Sequence, residues 1–202
     1  MNPLKENGRN SQRPFGNTLY VRYMVSRRCK KIAKTALDKL KIKYLFSVQG
    51  AIEFPEGISR EQQATLKKSL HTSGLELLDT SESILIDKII HSVTEVIHNA
   101  DRLPKLSFKE IIHENLGGDC EPTLQIFSDV KGVSVTQFII LQKIERAKEL
   151  LLYHDFTLPE IAEKLYYKNE DYFVSQFKKI TGLPPSYFTD LKDKREKTIA
   201  NL

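Results

Sequence analysis

The period of the hydrophobic positions changes once along this chain, near residue 80. Before that point, stretches of period two alternate with stretches of period 3.6; after it, only the helical period remains. "TLYVRYMV" (18–25) sets Leu19, Val21 and Tyr23 on one side and Tyr20, Arg22 and Met24 on the other, as a strand does. From Arg27 to Leu40 the apolar residues Ile32, Ala36, Leu37 and Leu40 keep helical spacing. "YLFSVQGAIEF" (44–54) reads as two strands joined at Gln49-Gly50, where glycine supplies the positive φ of a tight hairpin. Ser59 with Gln62 makes a capping box that opens a helix through Leu66 and Leu70 to a stop at Gly74. "LELLD" (75–79) is a last short strand.

The order β-α-β-β-α-β over residues 18–80 predicts an α+β domain of the ferredoxin-like pattern. From Ser83 onward an all-α domain is predicted, opening with the stripe Ile84, Leu85, Ile89, Val93, Val96 and Ile97. Two later helix starts use one device, Ser107-Phe-Lys-Glu110 and Thr157-Leu-Pro-Glu160, 50 residues apart. Phe127 and Phe177, Gly132 and Gly182, and Phe138 and Phe188 keep the same separation, with a one-residue slip between, where Leu116 matches Leu165. Two helices and a glycine stop are thus duplicated across a long amphipathic helix at about 135–153. A helix, a turn and a second helix, repeated, is a pair of helix-turn-helix units over 83–190.

The composition, 40% hydrophobic and 28% charged, is ordinary for a globular chain. No apolar run approaches the roughly 20 residues that span a bilayer. The start, residues 1–17, is polar and reads as a disordered arm without a secretory h-region; residues 191–202 read as a basic tail. Two isolated cysteines, Cys29 and Cys120, make no disulfide framework and suit a reducing cytoplasm. The net charge of +5 is uneven: +8 over 1–80, −5 over 81–130 and +2 over 131–202. A mildly basic chain is compatible with nucleic acid. There is no phosphate loop, nucleophile elbow or H-E-x-x-H, so no enzyme and no cofactor is predicted.

"ERAKELL…TLPEIAEKL…YFVSQFKKITGLPPSYF" resembles the C-terminal half of an AraC/XylS-family DNA-binding domain, through Ala162, the Phe-Lys-Lys-x-x-Gly run at 177–182 and Pro-Ser-x-Phe at 185–188. The resemblance extends more weakly back to about Ser83. It implies a bacterial-type, cytoplasmic transcription regulator with double-stranded DNA as partner and two recognition helices in successive major grooves, about 34 Å apart. In the second unit Asp171 and Ser175 would then touch base edges and Val174 a thymine methyl, with Lys178 and Lys179 on phosphates and Tyr172 a further DNA-binding candidate. In the first, Gln125 and Ser128 are the candidates, on an acidic helix expected to expose Glu121, Gln125, Ser128 and Asp129. Two departures stand out. Tyr166 occupies the usual turn glycine, so that turn is built differently or strained. His113 stands where the second copy has the small Ala162, and its bulk is expected to push the helices apart or repack them.

"YMVSRRCKK" (23–31) is similar to the first loop of heavy-metal-associated domains, ferredoxin-like modules with M-x-C-x-x-C after the first strand. Here Ser26 replaces the first thiol, leaving Cys29 as a lone, weak metal candidate. The resemblance implies a module kept for homodimerisation or for a protein partner. His91, His98 and His113 lack the acids or thiols that would complete a zinc site. Two alternatives remain open at this point: a protein-interaction module with weak DNA binding, suggested by the acidic 81–130 stretch, and a metal-responsive regulator using Cys29 across a dimer.

Overall fold

The computed structural model describes residues 17–46, 51–99, 107–117 and 120–200. The expected N-terminal arm and the Gln49-Gly50 turn lie outside the described residues. The elements in order are β1 (Thr18–Arg22), α1 (Arg27–Lys39), β2 (Leu45–Phe46), β3 (Ala51–Glu53), α2 (Arg60–His71), β4 (Glu76–Leu77), α3 (Thr80–Asn99), α4 (Phe108–Leu116), α5 (Glu121–Lys131), α6 (Val135–Tyr153), α7 (Leu158–Lys164), α8 (Glu170–Thr181) and α9 (Pro185–Ala200). They pack as two compact units. The first runs to Asp87 and takes in Ile126–Gly132; the second is Lys88–Gln125 with Val133 onward.

In the first unit the four strands form one antiparallel sheet in the order β2-β3-β1-β4. Tyr20 pairs with Ala51 and Val21 with Leu77, which places β1 in the middle. One face of the sheet buries Leu19, Val21 and Ile52 in a core with Ala33, Ala36 and Leu37 of α1 and Leu66 and Leu70 of α2. Tyr20 points the other way and is buried too. Its hydroxyl donates to Asp87 at 2.6 Å, its N–H donates to Ser83 Oγ at 3.3 Å, and the Lys131 ammonium lies 5.1 Å from its ring centre. Burial pushes that ammonium down to about 8, against the pull of Asp87.

Two boundaries differ from the sequence expectation. β1 stops at Arg22 instead of running to Val25, because Tyr23 turns to a φ of 65° and leaves the strand. Its N–H donates instead to the Asp129 carbonyl at 3.0 Å. α3 begins at Thr80, three residues before Ser83. Asp79 and Glu82 form the start: the Asp79 carboxylate accepts the Glu82 N–H at 2.8 Å, and Glu82 accepts the Asp79 N–H at 3.0 Å. The Ser81 hydroxyl and that amide hold the Asp79 carboxyl below the usual carboxylate range.

In the second unit, the capping boxes expected at Ser107 and Thr157 open α4 and α7. A glycine ends the second helix of each copy: Gly182 at φ 76° here, and Gly132 at φ 70° in the segment that belongs to the first unit. Phe173 and Phe177 are fully buried in this unit, as Phe127 is in the first, and Phe177 meets Phe188 edge-on at 5.3 Å. The residues expected as a basic tail continue α9, which runs unbroken from Pro185 to Ala200.

Candidate nucleic-acid interface

The second helix-turn-helix is α7, its turn and α8. Glu160 accepts from both the Thr157 N–H and the Thr157 hydroxyl at 2.7 Å, fixing the start of α7 and holding the Glu160 carboxyl low. At the far end, Tyr166 takes a φ of 61°. Its N–H donates to Glu163 O and that of Tyr167 to Ala162 O, each at 2.9 Å. This is a Schellman closure with tyrosine in the left-handed position that glycine normally fills. The first copy has that glycine: Gly117 follows Leu116 at φ 70°, as Tyr166 follows Leu165. A bulky residue there costs about 1–2 kcal/mol.

Packing offsets that strain. The Lys143 ammonium of α6 lies 5.2, 5.6 and 5.0 Å from the ring centres of Phe108, Tyr166 and Tyr167, and donates to Tyr166 O at 3.5 Å. Burial pushes Lys143 down to about 8, while the three ring faces favour its charge. Tyr167 packs on Phe173 at 5.3 Å; its hydroxyl is buried without a hydrogen-bond partner, and burial pushes it up to about 12. The turn is therefore pinned to α4, α6 and α8 by aromatic contact rather than by a permissive glycine.

α8 is capped by Asn169, whose Oδ1 accepts the Tyr172 N–H at 2.9 Å. Glu170 and Asp171 stand in its first turn and Lys178 and Lys179 in its last, matching the helix dipole. Phe173 and Phe177 are buried and Ile180 half-buried, which is the core face read from the sequence. On the opposite face Asp171, Ser175, Lys178 and Lys179 are exposed, with Tyr172 56% exposed and Val174 half-buried. These six residues lie along one helix, and α8 positions them together. Exposed Tyr172, though named among the candidates, offers a large ring beside them.

The first copy differs. Gln125 is exposed and Ser128 half-buried. Asp129, expected on the outer face, is not exposed: Arg22 takes its carboxylate, with Nη2 at 2.5 Å and a side-chain exposure of 18%. The C-terminal half of α5 belongs to the unit that holds the sheet. His113 does not wedge its helices apart either; it is exposed, and Ile112 holds the buried position equivalent to Ile161.

In α9, Lys192 is engaged by Asp155 and donates to His154 O at 3.1 Å, and the Arg195 guanidinium lies 5.4 Å from the Tyr153 ring centre. Lys194 and Lys197 are exposed. In the 23–31 loop Ser26 caps α1: its Oγ accepts the Cys29 N–H at 3.2 Å and lies 3.1 Å from Cys29 Sγ, which holds that thiol below its ordinary value. Among the described residues no group of three or more His, Cys, Asp or Glu is placed to hold a metal. His98 is lowered by burial, with Glu149 at 3.7 Å pulling the other way. No single helix among them is long and apolar enough to cross a membrane.

Residues 123–190 match the helix-turn-helix domain family. The match takes in the whole of α7 and α8 and most of α5, and begins after α4. The chain is similar to the uncharacterized HTH-type transcriptional regulator YtdP of Bacillus subtilis, 34% identical over 67 residues, covering 33% of this chain and 9% of that protein. It is also similar to the uncharacterized transcriptional regulatory protein YesN of Bacillus subtilis, 30% identical over 112 residues, covering 54% and 29%. The chain thus spans less than a third of the length of either relative. Among solved structures, the DNA-binding domain of AdpA, a global transcriptional factor in complex with a target DNA, aligns over 55% of this chain and 94% of that one, at 16% identity and a TM-score of 0.46. The C-terminal domain of AraT, a response regulator from Geobacillus stearothermophilus, aligns over 53% and 84%, at 22% identity and 0.46.

Proposed function

We propose that this chain is a sequence-specific, DNA-binding transcription regulator of the AraC/XylS kind, with α8 as its principal reading helix. The observation that carries the reading is α8 itself: one face buried through Phe173 and Phe177, the other exposing Asp171, Tyr172, Ser175, Lys178 and Lys179, within a matched helix-turn-helix domain. A recognition helix meets base edges with its N-terminal residues, so Asp171, Tyr172, Val174 and Ser175 face the major groove. Asp171 accepts from a cytosine amino group, Ser175 bonds either base type and Val174 meets a thymine methyl. Lys178 and Lys179 supply phosphate contacts and with them the salt dependence.

The two recognition helices enter successive major grooves, and the first, α5, contributes Gln125, whose amide can bond adenine in two places. Its share is the smaller, because Asp129 is committed to Arg22 and α5 exposes no cation toward phosphates, its one lysine, Lys131, lying against the Tyr20 ring. Residues 18–80 form a ferredoxin-like module; the element order and the β2-β3-β1-β4 strand order support that reading. The module serves homodimerisation or a protein partner, and a cytoplasmic location goes with the whole. Selection from a random duplex pool by the full chain tests the proposal. Enrichment of one motif supports it; binding with no sequence preference contradicts it.

A further inference from the structure

The positive charge of this chain is concentrated in α1 and α2 of the first unit. α1 and α2 carry nine Lys and Arg (Arg27, Arg28, Lys30, Lys31, Lys34, Lys39, Arg60, Lys67, Lys68) against Asp38 and Glu61, a balance of +7 where the whole chain has +5. The remainder is therefore slightly acidic. All nine side chains are on exposed residues, and none of the ion pairs among the described residues includes any of them.

The arrangement works against the helix that carries it. Arg27, Arg28 and Lys30 crowd the first turn of α1, which has no acid, where the dipole disfavours cations. Arg27 with Lys31, and Lys30 with Lys34, are like-charge pairs at i, i+4, which weaken a helix further. A face kept only for solubility intersperses both signs. Local choices that oppose the local structure mark a functional surface.

Resting on the DNA-binding reading above, we infer that the exposed basic face of α1 and α2 is a second, sequence-independent DNA contact that grips the phosphate backbone. Charge complementarity identifies the occupant: a dense polyanion set against exposed cations that no ion pair among the described residues neutralises, in a chain that carries a helix-turn-helix domain. Arg27, Lys31 and Lys34 share one stripe of α1, about 10 Å long, enough to meet successive phosphates of one strand. The face adds affinity and salt dependence and carries no base preference.

The test uses the full chain and the duplex it selects from a random pool. In the variant Arg27→Gln/Arg28→Gln/Lys31→Gln/Lys34→Gln, the slope of log affinity against log salt is expected to fall by about 2 or more, with the selected motif unchanged. The charge-retaining Arg27→Lys/Arg28→Lys/Lys31→Arg/Lys34→Arg variant is expected to keep the wild-type slope, which separates charge from folding. A wild-type slope in the glutamine variant, with the motif still bound, would overturn this inference and leave the DNA reading standing. Loss of binding to phosphatidylserine vesicles with the DNA slope unchanged would assign the face to an anionic membrane surface and overturn it as well. If the wild type selects no motif at all, the DNA reading fails first.

Discussion

Arg22 holds Asp129 through two hydrogen bonds to one carboxylate oxygen, from Nε at 3.2 Å and Nη2 at 2.5 Å. Nη1 of the same guanidinium reaches Glu76, its cross-strand neighbour, at 3.3 Å. Asp129 holds Arg22 more firmly in its charged form, and the Tyr23 amide binds the Asp129 backbone next to it. A side chain that helical periodicity places on the outer face of α5 is thereby built into the unit that contains the sheet.

Breaking this contact is expected to destabilise that unit unequally from its two ends. Arg22→Ala takes the guanidinium from the largely buried Asp129 carboxylate, a loss of about 2–3 kcal/mol. Asp129→Ala leaves Arg22 with Glu76 and costs less, about 1–2 kcal/mol. A double-mutant cycle by urea unfolding should show coupling of about 1 kcal/mol or more. Strictly additive losses would mean the contact does not form.

Tyr166 separates backbone strain from side-chain packing. Tyr166→Ala keeps the left-handed φ and loses the ring that meets Lys143 and Phe108. Tyr166→Gly loses the same ring but relieves the strain. The glycine variant should be more stable than the alanine variant by about 1 kcal/mol. Equal stabilities in thermal unfolding would contradict a left-handed tyrosine at this turn.

The pH dependence of stability has a stated sign. Lys131 and Lys143 titrate near 8 when folded, below their ordinary value of 10.5, so the unfolded chain binds more protons between those values. Stability should therefore rise from about pH 8 toward 10. Tyr44 and Tyr167 are pushed up to about 12 from 10.0, so above pH 10 the unfolded chain ionises first and stability should fall again. Urea unfolding at pH 7.5, 8.5 and 9.5 checks the rise, and Lys143→Met should flatten it. A decline across that range would rule out buried ammonium groups at these two positions.

Much of this architecture is legible in the sequence, and the failures are local. The order of the first six elements is readable because a period-two strand and a 3.6-period helix alternate between glycine stops and a serine cap. β1 is read too long because Tyr23 takes a positive φ that no glycine announces. The early start of α3 has a signal, Asp79-x-x-Glu82, masked by the serines that follow it. Periodicity identifies the core face of α8 correctly, since Phe173 and Phe177 are large and evenly spaced. The same reasoning misplaces Asp129, because period shows which face of a helix is polar but not what packs on it. The strain at the Tyr166 turn is legible too, because Tyr166 stands where a turn glycine is expected and the one-residue slip that pairs Leu116 with Leu165 also pairs Gly117 with Tyr166.

The division of labour between α8 and α5 is the central claim, and binding-site selection with three variants tests it most directly. Ser175→Ala should change the selected motif, while Lys178→Ala should weaken all sites alike and lower the salt slope by about 1. Gln125→Ala should leave most of the motif intact, at a cost of about 1–3 kcal/mol or less for any adenine it reads. A motif that survives Ser175→Ala unchanged and collapses in Gln125→Ala would place the reading on α5 and contradict the assignment.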